Sequence, residues 1–426
     1  MFAPPSWLLP SLALGIGIGL PLYAGRFRGR TYAIFASVLV LISFPGALGL
    51  AVRSAAQVPE SFRWGVGWAF VYGMLATGLH FASLVKARLR PRAFRWGVSL
   101  PGMAFLALGA VAGPWLLLTE FLRLGAEGLG FAGVASGLAW LGLLPLALVA
   151  FSVATSLGLR REIVRIVLDR RIYSETSRIP VERHFRRPPP PTPERPLRVV
   201  QIADPHLGPW QPIHRLQARI EELLAHEPDL VLITGDLLTM EGNATAGALT
   251  EALAPLKAAR GRCFAIFGNH DHEAPEEVRA ALAACGAILL MDDEAMVETA
   301  AGPVQLVGAD WARKERAERL DALAARFPRR EGHLRLWLVH DPLGFADLAD
   351  GEADLVLSGH THGGQIGLVS FGLDWTVLSR SRWPDHGFFG LGTNRLYVHR
   401  GTGFYGFPLR IGVPGEASLL EVISPG

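Results

Sequence analysis

Apolar residues follow two different patterns along the chain, and the change falls near residue 159. From Trp7 to Leu159 they form continuous stretches, and about 20 apolar residues suffice to cross a bilayer as a helix. Beyond residue 196 they form short runs, separated by stretches in which apolar residues recur with helical spacing. The first pattern predicts membrane-spanning helices, and the second predicts a soluble domain of alternating strands and helices.

Five stretches in the first part have spanning length. They are Trp7–Ala24, Tyr32–Val52, Trp64–Val85, Val98–Leu118 and Leu129–Gly158. The fourth is the least regular, because Pro101 and Pro114 can kink or shorten a helix. We therefore predict a polytopic α-helical membrane domain at residues 1–159, with about five transmembrane helices. No Asp, Glu, Lys or Arg lies inside these stretches, which favours an anchor over an ion pathway.

The loops between the spans differ in charge. Clusters of cations follow the first, third and fifth spans, whereas the only acids before Leu159 (Glu60, Glu120 and Glu127) lie in the cation-poor loops. The positive-inside rule then predicts an external N-terminus and a cytoplasmic location for everything after Leu159. No cation precedes the first span, so a cleaved signal peptide fits poorly.

Composition supports a membrane protein with a soluble part, since 50% of residues are hydrophobic and 19% are charged. The net charge of +3 is too small to indicate nucleic-acid binding. The two cysteines, Cys263 and Cys285, have no metal-binding or redox spacing, and we expect buried free thiols.

Residues 160–196 are predicted to link the two parts. Arg160–Ile172 mixes aliphatic residues with arginines, which suits a helix on the cytoplasmic leaflet or a solvated continuation of the last span. Arg183–Arg187 is basic, and the prolines from Pro188 to Pro196 predict a stiff spacer. A ligand for an SH3-type domain is the alternative, and no other protein partner is indicated.

Residues 197–426 are predicted to form one α/β domain with enough strands for two sheets. The predicted strands are Leu197–Ala203, Asp229–Thr234, Cys263–Phe267, Ala287–Met291, Val304–Ala309, Leu334–Val339, Asp354–Leu357, Arg395–His399 and Ala417–Val422. The predicted helices include Ile213–His226 and Ala244–Ala259.

Five of the predicted strands end in residues that can bind a metal. These residues are Asp204, Asp236, Asn269, His340 and His360. Ligands of open α/β sheets bind at the carboxyl ends of strands, so we expect the five to meet. The stretch Ser358–Gln365 also places His362 one residue beyond His360 between glycines, a pattern typical of metal sites.

The motifs Asp204-Pro205-His206, Gly235-Asp236, Gly268-Asn269-His270-Asp271, Val339-His340-Asp341 and Gly359-His360-Thr361-His362 resemble, in this order, those of the calcineurin-like metallophosphoesterases. The similarity is greatest to bacterial membrane-bound members, which include UDP-2,3-diacylglucosamine hydrolases. It covers essentially all of 197–426, including the tail from Val398 to Glu416. Pro205 departs from the pattern, which more often has an apolar residue such as leucine there, but no ligand is lost.

The resemblance implies a four-layer αββα sandwich that holds two divalent metals. Asp204, His206 and His362 would bind the first metal, and Asn269, His340 and His360 the second. Asp236 would bridge them, and His270 would face the substrate. Two metals about 3.5–4 Å apart can clamp the attacking and leaving oxygens of an in-line displacement.

The residue types agree with that chemistry. Two carboxylates against two divalent ions leave a net charge of about +2, suited to a phosphate ester. Imidazole ligands favour Mn, Fe or Zn over Mg. We expect His270 to protonate the leaving group or stabilise charge, with packing as the alternative. Asp271 is expected to orient His270 or, alternatively, to cap the loop.

The sequence therefore predicts a membrane-anchored, metal-dependent phosphoesterase at the cytoplasmic leaflet of a bacterial inner membrane, with a lipid-linked phosphodiester or pyrophosphate as substrate. The alternatives are a phosphodiesterase for a soluble nucleotide, a non-catalytic scaffold on the same fold, and a regulated transporter.

Some further residues have weaker assignments. In the long segment Ile366–Asn394, aromatic residues including Trp383 and Phe388 are expected to contact a lipid or, alternatively, to pack onto the domain. Arg400 is expected to contact phosphate or to form a structural salt bridge. The remaining histidines His272, His333, His386 and His399 are predicted to lie on the surface.

Overall fold

The structure, a computed structural model, describes residues 4–185, 189–192, 194–406 and 408–424. Arg186, Arg187, Pro188 and Pro193 of the predicted spacer lie outside the described residues. The chain forms two compact units. The first holds the residues up to Ala154 together with Gly406–Ile411, and the second holds Thr155–Tyr405 and the residues from Gly412 on.

The N-terminal part of the chain is helical. Its helices are α1 Leu8–Phe27, α2 Arg30–Gln57, α3 Glu60–Ser83, α4 Arg92–Phe94, α5 Leu100–Gly128, α6 Ala132–Leu141 and α7 Leu144–Leu157. Among the described residues, five helical segments are long and apolar enough to cross a membrane: Leu8–Phe27, Arg30–Gln57, Glu60–Lys86, Arg92–Gly128 and Ala132–Leu157. The prediction of five spans is confirmed. Pro101 does not interrupt the fourth, because it lies in the first turn of α5.

Small residues allow α2 and α5 to approach closely. A Cβ atom added at Gly109 would lie 2.0 Å from the carbonyl oxygen of Ser43, and one at Gly46 would lie 2.2 Å from that of Gly109. Membrane helices use glycines in this way because close backbone approach gains van der Waals contact where lipid supplies no hydrophobic drive.

The second unit contains two seven-stranded sheets. The strands are β1 Leu159–Val167, β2 Tyr173–Ile179, β3 Glu182–His184, β4 Leu197–Ile202, β5 Leu230–Ile233, β6 Cys263–Ala265, β7 Ile288–Leu289, β8 Asp293–Thr299, β9 Gly302–Ala309, β10 Leu334–Val339, β11 Leu355–Ser358, β12 Gly387–Gly392, β13 Asn394–Val398 and β14 Gly415–Ile423. One sheet has the order β3-β1-β14-β4-β5-β6-β7, and the other has the order β2-β12-β13-β11-β10-β9-β8.

The two sheets pack face to face around an apolar core. Leu232 and Phe264 of the first sheet share one buried cluster with Leu338 and Leu357 of the second. Helices cover the outer faces: α8 Ile213–Leu224, α9 Met240–Asn243, α10 Ala248–Ala252, α11 Pro275–Cys285 and α12 Arg316–Arg326. The domain is thus the expected four-layer αββα sandwich.

All nine predicted strands are present, with ends shifted by a few residues. The predicted helix Ala244–Ala259 is instead broken into α10 and a 3-10 turn, Ala254–Ala259. Gly247, with φ of 75°, and a proline at the start of the 3-10 turn account for the break.

The helix expected at Arg160–Ile172 is wrong in both of its forms. Residues 159–167 form β1, which pairs in parallel with β14 along its whole length. Its buried residues Glu162, Val164 and Ile166 alternate with more exposed ones, which is the period of a strand. The following strands β2 and β3 extend one edge of each sheet.

Candidate metal centre

Polar side chains from both sheets meet beyond the carboxyl ends of the strands. β4, β5 and β6 of the first sheet run parallel, as do β10 and β11 of the second. The chain segments that follow them carry the residues predicted as ligands, which are Asp204, His206, Asp236, Asn269, His340, His360 and His362.

One cluster consists of Asp204, His206 and His362, all of them buried. The Nε2 atoms of His206 and His362 are 3.2 Å apart, and His362 Nε2 is 3.8 Å from Asp204 Oδ1. His206 Nδ1 lies 3.2 Å from the carbonyl oxygen of Leu238. This hydrogen bond fixes the ring with its Nε2 atom toward the cluster, as second-shell partners do for metal-binding histidines.

A second cluster consists of Asp236, His340 and His360. His340 Nε2 lies 3.2 Å from both His360 Nδ1 and Asn269 Oδ1, while its Nδ1 atom bonds the carbonyl oxygen of Thr234 at 2.7 Å. Asp236 Oδ2 is 3.3 Å from His340 Nε2 and 3.7 Å from His206 Nε2. The Asp236 carboxylate therefore lies between the two clusters.

The backbone is strained at these positions. Nine described non-glycine residues have positive φ, and five of them belong to the site: Asp204, His206, Asp236, His360 and His362, with φ between 46° and 69°. Such conformations concentrate where the surrounding structure enforces them for function. Glycines make room for the carboxylates, because a Cβ at Gly268 or Gly359 would lie 2.3 Å from an oxygen of Asp236 or Asp204.

His270 stands beside the clusters with its side chain partly exposed. Its backbone N–H donates to Asp236 Oδ1 at 2.8 Å, and its Nδ1 atom is 2.8 Å from Glu273 Oε1. Tyr405 packs against the rings of both His270 and His206, with centroid distances of 4.6 and 5.3 Å. The sequence analysis missed Glu273, although its i,i+3 spacing from His270 was a usable signal, and nothing local indicated Tyr405.

Asp271 has the second of its two expected roles. Its carboxylate is fully buried and accepts hydrogen bonds from the backbone N–H groups of Asp236, Leu237 and Gly268 at 2.7 to 2.8 Å. It thereby caps the turn that presents Asp236, while the contact that orients the His270 ring comes from Glu273.

Comparison with known proteins agrees with this geometry. Residues 197–364 match the family described as calcineurin-like phosphoesterase. The chain is 32% identical to "Uncharacterized metallophosphoesterase YkuE" of Bacillus subtilis (strain 168), over 54% of this chain and 79% of that protein. The chain belongs to the calcineurin-like phosphoesterase family.

Two other relatives extend the comparison. The chain is 28% identical to "Phosphodiesterase YaeI" of Escherichia coli (strain K12), over 54% of this chain and 83% of that protein. It is 30% identical to "Transmembrane protein with metallophosphoesterase domain" of Danio rerio, over 52% of each chain. The aligned part thus covers about half of this last relative. The domain is a metal-dependent hydrolase, and the whole chain is a membrane protein.

The donor atoms of this phosphoesterase fit a pair of divalent metals, as the family uses. Two ligand atoms that each lie about 2.1 Å from one ion are roughly 3–3.5 Å apart. The short contacts between imidazole nitrogens in both clusters are close to this spacing. Carboxylate, amide and imidazole are all donors to such ions.

The electrostatics of the site favour a cation. Burial acts to raise the pKa of Asp236, but His340 and His206 hold it well below its ordinary value. Burial alone would lower the pKa of His340, yet Asp236 outweighs it and raises that pKa to about 10. Burial lowers the pKa of His206 to about 4. The ionised Asp236 is thus buried and needs a positive partner, and a bound metal would displace the His340 proton.

Several peripheral residues differ from expectation. His386 and His399 are fully buried, so their predicted surface position is wrong. Burial lowers the pKa of His386, whose Nδ1 atom is 3.4 Å from Asp385 Oδ2. The carbonyl of Asp385 accepts a 2.6 Å hydrogen bond from Thr361, between two predicted ligands. The pair therefore supports the histidine loop.

Two alternatives are also decided by the structure. Arg400 is buried and bonded to Glu162 and Glu416, which is the structural salt bridge rather than a phosphate contact. Phe388 lies in β12 and is only 2% exposed, so it packs in the core. Cys263 and Cys285 are buried free thiols, as expected.

Proposed function

We propose that this protein is a membrane-anchored dimetal phosphoesterase that hydrolyses a phosphodiester or pyrophosphate by attack of a metal-activated water. The supporting observation is the position of Asp236 Oδ2, within 4 Å of an imidazole nitrogen from each cluster. A carboxylate in that position can hold two ions close enough to act on one phosphoryl group.

The residues divide into two ligand sets in this proposal. Asp204, His206 and His362 hold the first metal, and Asn269, His340 and His360 hold the second, with Asp236 shared. When bound, the two ions would activate a water and neutralise charge on the phosphoryl oxygens. Four imidazoles among the seven ligands favour Mn, Fe or Zn over Mg, which prefers oxygen ligands and retains its waters.

His270 is the proposed catalytic acid. Its ring lies next to the clusters and is partly exposed, so it can reach a substrate. Burial acts to lower the pKa of His270, but Glu273 and Asp236 outweigh it and raise that pKa above the ordinary value. A protonated imidazole held by Glu273 can donate a proton to the leaving oxygen or stabilise developing charge.

A lipid-linked substrate, of the UDP-diacylglucosamine kind, is the proposed specificity. The catalytic domain is covalently joined to five candidate membrane helices, so it operates next to a bilayer. The loop charges place it, in this proposal, at the cytoplasmic leaflet of a bacterial inner membrane. The Escherichia coli relative is named a phosphodiesterase, which agrees with ester rather than simple phosphate chemistry.

The direct test is a substrate screen on the purified full-length protein with Mn²⁺. Lipid pyrophosphates, phosphatidyl lipids, cyclic nucleotides and bis-p-nitrophenyl phosphate would be compared at equal concentration. Preferential turnover of a lipid supports the proposal, and faster turnover of a soluble nucleotide would replace it with a nucleotide phosphodiesterase. Absence of turnover on every ester, with metal bound, would indicate a binding scaffold.

A further inference from the structure

Exposed apolar side chains of the phosphoesterase domain are concentrated in one short segment. Among the described residues between 158 and 424, ten large hydrophobic side chains are exposed, and five lie within 368–377. They are Leu368, Phe371, Leu373, Trp375 and Val377. We name this segment the 368–377 hairpin.

The hairpin has a defined backbone. The N–H of Leu368 donates to the carbonyl of Trp375 at 2.8 Å, and that of Val377 donates to the carbonyl of Ile366 at 2.9 Å. The N–H of Ser370 donates to the carbonyl of Gly412 at 2.8 Å, which attaches the hairpin to the domain. Its apolar side chains are therefore held outward by an ordered backbone.

The pattern of burial in the hairpin is inverted relative to a strand of a soluble protein. Thr376 is 1% exposed and its hydroxyl donates to the Asp385 carboxylate. Leu373, Trp375 and Val377 point the other way, with 46% to 55% of their surface exposed. Strands facing water place polar residues outward and apolar residues inward, so the solvent this hairpin suits is apolar.

The hairpin is also close to where the chain leaves its last membrane helix. Arg160 Nη1 donates to the carbonyl of Val369 at 3.3 Å. Arg160 is three residues beyond Leu157, the end of the fifth candidate span. Three residues extend at most about 10 Å, so the helix end is within reach of a membrane interface. Arg380 and Arg382, which follow the hairpin, are exposed and complement anionic headgroups.

We propose that the 368–377 hairpin inserts into the interface of the membrane that the chain spans, as a second attachment of the phosphoesterase domain. Tryptophan and phenylalanine are the residues that favour this region, and interfacial elements bury their apolar faces roughly 5–10 Å into the headgroup boundary. Since Ile366 follows the histidine motif directly, the insertion would hold the metal site beside the leaflet. The proposal does not depend on which phosphoester is cleaved.

The test is a depth measurement on full-length protein in lipid nanodiscs. Phe371→Cys and Trp375→Cys would each carry an environment-sensitive fluorophore. Met296→Cys is the matched control, since Met296 on β8 is 44% exposed and Trp375 is 46% exposed. Cys263 and Cys285 are buried, and burial raises both their pKa values, so the unsubstituted protein serves as a low-labelling blank.

The expected result is a blue-shifted emission at 371 and 375, quenched by lipids with shallow nitroxide groups, at a depth of roughly 5–10 Å. The label at 296 should show neither effect. Equal behaviour at all three positions would overturn the proposal. A blue shift without quenching by lipid would also overturn it, because the hairpin would then be covered by a second copy or another protein. Neither readout uses activity, so failure here is separate from failure of the proposed reaction.

Discussion

Asp236 Oδ2 lies 3.3 Å from His340 Nε2, and the same oxygen lies 3.7 Å from His206 in the other cluster. Because one carboxylate faces both ligand sets, its removal should affect both ions. We expect Asp236→Ala to lose at least one metal per chain and to lose hydrolytic activity. Metal analysis of the purified variant checks this.

The matched control for Asp236→Ala is Asp321→Ala. Asp321 is an exposed acid on α12, and its loss should leave metal content and activity intact. His386, which lacks a ligand motif, is a poor control because it is buried beside the histidine loop. Two ions retained in Asp236→Ala would contradict the shared-ligand assignment.

His270→Gln should lower kcat by about 10²–10⁴ while both metals stay bound, since a general acid contributes on that order. Glu273→Gln should cause a smaller loss, because it removes only the partner that holds the ring at 2.8 Å. Steady-state kinetics with metal analysis measures both. His272→Gln is the control, as His272 is an exposed neighbour bonded to Asp310. Loss of metal in His270→Gln would indicate a structural role instead.

Glu162→Ala should destabilise the phosphoesterase domain by about 3–5 kcal/mol, because breaking a buried ion pair leaves uncompensated charge. The Glu162 carboxylate is fully buried between Arg400 and Arg183, with Arg183 Nη1 at 2.7 Å. Thermal unfolding in detergent, followed by far-UV circular dichroism, checks this. Glu175→Ala on β2 removes an exposed acid and should not lower the melting temperature. An unchanged melting temperature in Glu162→Ala would contradict a structural role for β1.

The sequence predicted the elements whose signal is local. The spans follow from uninterrupted apolar length, and the ligands follow from polar residues placed directly after apolar runs. β1 was missed because the arginines among its aliphatic residues fit a helix as well as a strand. What decides is its pairing with β14, which lies more than 250 residues away along the chain. The same limit applies to Tyr405, which reaches His270 only through the fold.

Burial of polar residues was the other gap. His386 and His399 carry no motif, and a histidine without a motif is usually exposed. Their burial depends on distant partners, since Arg178 bonds both the Asp385 carboxylate and the carbonyl of His386. Glu416 likewise lies 3.8 Å from His399 Nε2. Such ion pairs form between segments that no local pattern connects.

Membrane topology can be tested independently of catalysis. Reporter fusions after Val58 and after Arg92 should report outside and inside, respectively, because arginines and lysines concentrate in alternate loops. A fusion at the C-terminal Gly426 should report a cytoplasmic location. An external signal from that last fusion would overturn the cytoplasmic placement of the catalytic domain and any substrate confined to that side.

Substrate presentation in the bilayer gives the last prediction. The double variant Phe371→Ser and Trp375→Ser should lower kcat/KM for a lipid ester in vesicles but spare bis-p-nitrophenyl phosphate, because both side chains are exposed and belong to the 368–377 hairpin. Met296→Ser should change neither. Phe388→Ser should instead destabilise the domain by about 3–5 kcal/mol and reduce activity on both substrates, since Phe388 fills the core. Parallel loss on both substrates in the double variant, at an unchanged melting temperature, would mean that the hairpin shapes the active site itself rather than its approach to lipid.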